Sequence, residues 1–363
     1  MSTELNEKLE RIRTFLEKKN ADAMLLSRNE NFCWLSCGHY AFVDKGSPEA
    51  VAKLLIEKDS QYVICNSSEM IRIPQEELAD AGFKLVSYKW HDDSKDEVKK
   101  LLEGKRVISD DGAFSTLCLA DEIKCLRYEL TDAEIARYRE IGPEAARVVE
   151  QCCREIQKGD SEYEIAGKVT GRMMALGYQV PVCLIAADER LEKYRHPLPT
   201  SKRVKHIAMI AVCVQKYGLT ISISRIVSLE QLSDELKKKH EAVTNIDAVY
   251  INNTVEGART GDIVRYGHNA YLSNGYEEDF HLHHQGGGIG YLTRDYCANE
   301  DCKEIVNNRQ AFSWNPTIAG TKSEDTILVL DGKTEILSHS GNWVYRNVDI
   351  DGSTIQRPDI LVI

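Results

Sequence analysis

The sequence lacks several patterns that mark whole classes of protein. It has no run of about 18 apolar residues, so we expect no membrane span. Its first twenty residues are charged and amphipathic, without the apolar stretch of a secretory signal. The 11 cysteines form no Cys-x-x-Cys pair. These absences predict a cytoplasmic protein whose cysteines are reduced thiols.

An excess of positive charge is also missing. The chain carries 46 Lys and Arg against 57 Asp and Glu, a net charge of −11. Because phosphate backbones are bound by basic surfaces, we expect no nucleic-acid partner. The hydrophobic fraction of 42% is ordinary for a globular protein, and 363 residues are enough for two domains with separate cores.

Residues 1–128 alternate helix-like and strand-like segments. Leu5, Leu9, Ile12 and Leu16 fall on one helical face. Short apolar runs typical of buried strands follow at 23–26, 51–56, 62–65, 84–88 and 106–109. This part of the chain is therefore predicted to be an α/β domain.

Residues 129–363 show a different pattern. Thr131 and Glu134 form a capping-box signature that predicts a helix to about residue 156, and Ser161 and Glu164 repeat it. Two strand-like stretches flank Gly218 and predict a hairpin. The predicted strands are 207–213, 219–227, 311–318 and 326–330, and the predicted later helices are 228–243 and 260–272. This second domain is predicted to be α+β.

Five short motifs follow one another in the second domain. They are RHPLP, SISR, HHQGGGIGYLTRD, WNP and SED. In this order they resemble the motifs of the creatinase, prolidase and aminopeptidase P superfamily, which has the pita-bread fold. The resemblance covers almost the whole chain. It implies a creatinase-like α/β N-terminal domain and a pita-bread α+β C-terminal domain.

The resemblance also identifies the positions that hold metal in this superfamily. Its metallopeptidases bind two divalent cations with two Asp, one His and two Glu. Those positions correspond here to Ala211, Ser222, Gly287, Asn315 and Glu324. Hard divalent cations need several oxygen ligands, and only Glu324 supplies a carboxylate. We therefore predict no dinuclear metal site and no cofactor.

A single metal ion is the alternative to a metal-free site. His281, His283 and His284 form a His-x-His-His cluster, and imidazole suits zinc. On a strand, His281 and His283 would share a face while His284 would point away. We favour a mixture of core and substrate-facing histidines.

Creatinase works without metal, and the resemblance implies roles taken from it. His196 matches the histidine that transfers protons, and Arg294 matches an arginine that binds a carboxylate. Their alternatives are a loop histidine and an ion pair with Asp295. The predicted catalytic residues are His196, His283 and Glu324, and the predicted substrate-binding residues are Arg294, Asn315, His284, Ser222 and Phe42.

The glycine run at 286–290 does not match a phosphate-binding loop, because it lacks the following Lys-Ser/Thr. We expect the glycines to permit tight backbone geometry. We also expect them to leave space at Gly287, where relatives have a histidine ring.

The resemblance to creatinase therefore implies a metal-independent hydrolase, creatinase-like in mechanism, that acts on a C–N bond in a small, carboxylate-bearing molecule. Phe42 lies in a region that, in creatinase-like homodimers, reaches the neighbour's active site, so a homodimer is implied. One alternative is an inactive pseudo-peptidase that binds a peptide or a partner protein. Another is a conventional Xaa-Pro metallopeptidase, against which the lost ligands argue.

Overall fold

The computed structural model describes residues 2–92 and 95–363. It divides into two compact units, Met1–Ala133 and Glu134–Ile363, whereas the sequence predicted a division after residue 128. No helix in the described parts of the chain is long and apolar enough to cross a membrane.

The first unit is built around a mixed six-stranded sheet. Its helices are α1 Thr3–Lys19, α2 Asn29–Leu35, α3 Asp96–Leu102 and α4 Ala120–Ile123. Its strands are β1 Ala23–Arg28, β2 Glu49–Glu57, β3 Gln61–Asn66, β4 Lys84–Tyr88, β5 Val107–Ser109 and β6 Leu117–Cys118, in the order β4-β3-β2-β1-β5-β6. The first four strands contain the first four predicted apolar runs, and β5 begins one residue after the start of the fifth, which confirms the α/β prediction.

The second unit combines helices with antiparallel strands. Its helices are α5 Asp132–Arg154, which begins just before the division, α6 Glu162–Ala175, α7 Glu189–Lys193, α8 Asp234–Asn253, α9 Thr260–Ser273 and α10 Glu277–His281. Its longer strands are β7 Gln179–Ala187, β8 Ile207–Lys216, β9 Leu219–Ser228, β10 Gly286–Ile289, β11 Gln310–Trp314 and β14 Asp325–Leu330. Its shorter or later strands are β12 Thr317–Ile318, β13 Thr321–Lys322, β15 Lys333–Ile336, β16 Tyr345–Ile350, β17 Ser353–Pro358 and β18 Leu361–Val362.

Most predicted elements of the second unit are confirmed. Ser161 and Glu164 form the capping box of α6, and β8 and β9 form the hairpin about Gly218. The predicted helix over 228–243 is wrong at both ends, because α8 begins only at Asp234 and continues to Asn253. At its start the Ser233 hydroxyl accepts a hydrogen bond from the Leu236 amide and caps the helix.

Two four-stranded sheets position the candidate site. Their strand orders are β18-β9-β8-β7 and β10-β11-β14-β15. Helices α8 and α9 pack on the second sheet, where Tyr250 stacks on Trp314 with ring centroids 4.7 Å apart. The sheets meet where the Ser224 amide donates to the Glu324 carbonyl (3.1 Å) and the Ser222 amide donates to Thr326 Oγ1 (2.8 Å). The site lies at this junction.

Candidate functional site

The hairpin of β8 and β9 brings small polar side chains to the junction of the two sheets. Cys213 and Ser222 pair across the hairpin, with Sγ and Oγ 3.3 Å apart. Ser224, two residues further along β9, lies on the same face and donates its hydroxyl to Glu324 Oε2 at 2.6 Å. The two serines of β9 therefore place neutral hydroxyl groups on the face of the strand that meets Glu324, the residue before β14.

Glu324 is held between two cationic side chains. Lys322 Nζ lies 3.0 Å from its Oε2, and Arg294 Nη2 lies 3.4 Å from its Oε1. Arg294 also reaches the Ser222 hydroxyl, with Nη1 and Oγ 3.5 Å apart. Burial raises the pKa of Glu324, but Lys322 and Arg294 outweigh it and hold the pKa below its usual value. Glu324 is therefore a carboxylate at neutral pH, with both oxygens already engaged.

Three histidines lie beside this ion cluster. His196 and His283 face each other through their Nε2 atoms, 3.0 Å apart, and His283 stacks on His284 with centroids 4.4 Å apart. Burial and then Lys322 lower the pKa of His196, and the same two causes are the largest that lower the pKa of His283 to about 2. Burial and the charge of Arg294 lower the pKa of His284 to about 4. All three rings are therefore neutral at pH 7.

The predicted arrangement of the His-x-His-His cluster is wrong. His281 ends α10 rather than lying on a strand, and it groups with His268 and Glu277 away from the other two. His283 and His284 follow α10 outside any strand. Their rings stack rather than pointing to opposite faces, and His196 takes the place expected for His281.

A cavity of about 110 Å³ opens onto these groups. Five of the predicted site residues line it, and Lys322, Cys213 and Thr293 line it as well. Ser222 adjoins it through Arg294, and His283 adjoins it through His196. Phe42 belongs to the first unit, where its ring lies 5.1 Å from that of Tyr40. The predicted residues on the cavity wall are His196, His284, Arg294, Asn315 and Glu324.

Several buried polar atoms around the cavity lack a hydrogen-bond partner among the described residues. They include Arg294 Nε and Asn315 Oδ1. A buried polar atom without a partner costs about 1–3 kcal/mol, so such groups are typical of places where a ligand or water completes the bonding. Arg294 offers a donor here and Asn315 an acceptor.

The superfamily's two metal ions do not suit the residues at the corresponding positions. Ala211, Asn315 and Glu324 line the cavity, but the first has no ligand atom and the second has a neutral amide. Ser222 offers a hydroxyl that already faces Cys213 and Arg294. The one carboxylate is neutralised by side-chain cations. This set supplies neither the oxygens nor the negative charge that two divalent cations need.

A single metal ion would be held by a different set of residues. His196, His283 and His284 each offer a ring nitrogen, and these atoms lie within 4.8 Å of one another. Neutral imidazoles are the form that binds transition metals. The cation Lys322 acts against such an ion, since its charge contributes to the lowered pKa of each of these rings.

The expectation that the glycine run leaves space is wrong. A Cβ atom on Gly287 would lie 2.2 Å from the Tyr296 carbonyl oxygen, and one on Gly288 would lie 2.7 Å from the Tyr296 ring. Gly286 and Gly287 also have φ of 117° and 151°, which favour glycine. The run is the strand β10, packed tightly against the segment around Tyr296, so the prediction of tight backbone geometry is confirmed.

Sequence reasoning did not assign a role to Lys322. Its position two residues before Glu324 was the available signal for a contact between the two side chains, because alternate residues of an extended chain share a face. Both side chains are 5% exposed, and the ammonium and the carboxylate are in contact.

Comparison with known proteins agrees with this architecture. Residues 136–331 match the profile of metallopeptidase family M24, and residues 8–141 match the creatinase/prolidase N-terminal domain. The first match covers more than half of the chain, so the chain belongs to metallopeptidase family M24, a family of hydrolases. The predicted superfamily and fold, a creatinase-like domain followed by a pita-bread domain, are confirmed.

Individual relatives are distant but cover nearly the whole chain. An Xaa-Pro dipeptidase of Pyrococcus horikoshii is 23% identical over 354 residues, covering 90% of this chain and 95% of the relative. The crystal structure of the prolidase from Pyrococcus horikoshii has a TM-score of 0.77 at 19% identity, covering 92% of this chain and 98% of that one. The X-Pro aminopeptidase from Thermotoga maritima has a TM-score of 0.76 at 19% identity, covering 98% and 99%.

Proposed function

We propose that this chain hydrolyses a C–N bond in a small, carboxylate-bearing molecule without a metal ion. The observation that carries the proposal is the contact of Glu324 with Lys322 and Arg294. In this cluster two side-chain cations supply the positive charge that metal ions supply in the metallopeptidases of the superfamily. A positive group beside a carbonyl oxygen stabilises the negative charge that develops on that oxygen during hydrolysis.

His196 is the residue that moves the proton in this proposal. Its lowered pKa keeps the ring neutral at pH 7, so it can take a proton from water and then give it to the leaving nitrogen. His283 holds the His196 ring through the Nε2 contact of 3.0 Å. Because the pKa of His283 is about 2, His283 stays neutral and acts as a positioning residue.

The remaining groups bind the substrate. Arg294 lines the cavity and presents a guanidinium that suits a carboxylate. Asn315 and His284 line the same cavity and suit an amide group. Ser222 and Ser224 contact the cation and the carboxylate of the cluster, so they support its geometry rather than the chemistry.

The experiment is a metal analysis coupled to an activity assay. The full chain is purified without chelator, and one half is then treated with a chelator. We expect amine release from small amides to be equal in both halves, with bound metal well below one equivalent per chain. Loss of activity on chelation, restored by zinc, manganese or cobalt, would overturn the metal-free mechanism.

A conventional Xaa-Pro dipeptidase is the second candidate. The 23% identical relative bears that name, and the three-histidine cluster could hold one ion. This second candidate function predicts that the protein cleaves Xaa-Pro dipeptides and that cleavage depends on added metal. An inactive binding protein predicts ligand binding without amine release in every metal condition. The same assay therefore separates the three functions.

We also propose a cytoplasmic homodimer. The location suits 11 free cysteines, which persist as thiols in a reducing compartment. Next to Phe42, Val43 is 70% exposed, and in the proposed dimer a second subunit would cover this side chain. Light scattering of the full chain should give twice the 41.0 kDa of one copy, and Val43→Asp should shift it toward the single copy.

A further inference from the structure

We propose that the cavity accepts small N-acylated amino acid anions, such as N-formyl, N-acetyl, N-propionyl or N-carbamoyl amino acids, and excludes zwitterionic dipeptides. The inference rests on the proposed C–N hydrolysis and names its substrate class. It differs from the substrates that the relatives' names indicate, because a dipeptide carries a free ammonium group at its amino terminus.

The charge on the cavity wall gives the first argument. Of the residues that line the cavity, Arg294, Lys322 and Glu324 carry a full charge at neutral pH, and together they leave one net positive charge. A ligand anion is therefore attracted. Among the charged residues of the wall, a ligand ammonium would be attracted only to Glu324, whose two oxygens already contact Lys322, Arg294 and the Ser224 hydroxyl.

The unpartnered polar atoms give the second argument. Arg294 Nε is a buried donor and Asn315 Oδ1 a buried acceptor, and neither has a hydrogen-bond partner among the described residues. A carboxylate oxygen complements the donor, and an amide N–H complements the acceptor. The two groups occur together in an N-acylated amino acid. The ammonium of Lys322 has three N–H donors, more than its contact with Glu324 uses, and can bind the acyl oxygen.

The size of the cavity limits the acyl group. Its volume of about 110 Å³ is far below the roughly 300–1,000 Å³ of a common ligand pocket. Val182 and Leu184 form an apolar part of its wall. We therefore expect acyl groups of one to three carbon atoms, or a carbamoyl group of similar size.

The reaction is balanced with water as the only co-reactant. Water oxygen adds to the acyl carbon as His196 takes one of its protons, and the electron pair of the carbonyl moves to oxygen. The C–N bond then breaks as the carbonyl re-forms, and the nitrogen leaves with the proton from His196. The products are the short carboxylic acid, or the carbamate in the carbamoyl case, and the free amino acid.

The test compares two compounds of nearly the same shape. N-propionylglycine and glycylglycine differ by a methyl group in place of an ammonium group. Binding of each to the full-length protein is measured by titration calorimetry, and amine release is followed in the same samples. The variants are Lys322→Gln and a control, Lys205→Gln, which changes an exposed lysine of the same unit.

We expect N-propionylglycine to bind at least about tenfold more tightly than glycylglycine, a difference that Lys322→Gln reduces severalfold and Lys205→Gln leaves unchanged. Equal or tighter binding of glycylglycine would overturn the inference. So would a failure of N-propionylglycine to bind below about 10 mM. If Lys322→Gln is not folded by circular dichroism, the wild-type comparison alone decides.

The two proposals fail in different ways. If N-propionylglycine binds preferentially and no amine is released, the ligand class stands and the hydrolase proposal fails. If chelator-treated protein cleaves glycylglycine in preference, metal-free hydrolysis stands and the ligand class fails.

Discussion

Lys322 Nζ lies 3.0 Å from Glu324 Oε2 in the interior of the second unit, where both side chains are 5% exposed. Removing one member of a buried ion pair leaves the other charge without compensation, which costs about 3–5 kcal/mol. We therefore expect Glu324→Gln to lower the free energy of unfolding by about 3 kcal/mol in urea denaturation, since Lys322 and Arg294 would both lose their carboxylate.

The exposed pair of Arg139 and Glu335 provides the control for this experiment. Their side chains are 49% and 40% exposed, so Glu335→Gln should cost less than about 1 kcal/mol. The double variant Glu324→Gln/Lys322→Met should recover part of the lost stability. Equal effects of Glu324→Gln and Glu335→Gln would contradict a buried, charged cluster.

The pH at which His196 titrates should depend on the positive charge of Lys322. Burial and then Lys322 lower the pKa of His196, because both disfavour the imidazolium. The ring should therefore titrate below its usual pH of about 6.5 in a proton NMR experiment. Lys322→Met removes a positive charge and should move the midpoint upward, whereas Lys205→Gln should leave it in place. An unchanged midpoint in Lys322→Met would show that the ammonium does not act on the ring.

His196→Ala should abolish turnover while leaving ligand affinity nearly unchanged. Loss of a general acid–base group typically costs about 10²–10⁴ in rate. The measurements are amine release from N-propionylglycine and its dissociation constant for the same protein sample. His206→Ala is the control, since His206 is 53% exposed and pairs with Glu230. A parallel loss of binding and turnover would instead indicate a structural role for His196.

Gly287→Ala should destabilise the second unit by several kcal/mol. The added Cβ would lie 2.2 Å from the Tyr296 carbonyl oxygen, a backbone atom that cannot rotate away. Gly167→Ala is a matched control on α6, where an added Cβ has nothing within 4 Å and should stabilise the helix by about 0.5–1 kcal/mol. The two melting temperatures should therefore move in opposite directions; a neutral Gly287→Ala would contradict the packing.

Much of the fold follows from the order of motifs and from local patterns. The hairpin about Gly218 and the capping box of Ser161 and Glu164 are formed by neighbours in sequence, so short windows predict them. The helix α10 was not predicted, because its five residues, Glu277–His281, are too few to show a helical period. The acidic first turn from Glu277 was the available signal, since negative charge stabilises a helix start.

The site was only partly predictable, because its contacts join distant parts of the chain. His196 and His283 are 87 residues apart, and Ser224 and Glu324 are 100 apart. The family motifs identified these residues as candidates. No local sequence pattern predicts that Lys322 neutralises Glu324. We predicted space at Gly287 because this position lacks a side chain. In the structure the backbone around Tyr296 packs into that space, since a glycine lets a neighbouring segment approach closely.

The packing of Gly287 against Tyr296 limits which side chain this position can hold. Gly287→His would place the Cβ of the new side chain 2.2 Å from the Tyr296 carbonyl oxygen. A dinuclear metal site engineered into this chain would need the segment around Tyr296 to be rebuilt, together with new carboxylates at Ala211, Ser222 and Asn315. Substituting ligand residues alone would therefore not install a dinuclear metal site in this chain.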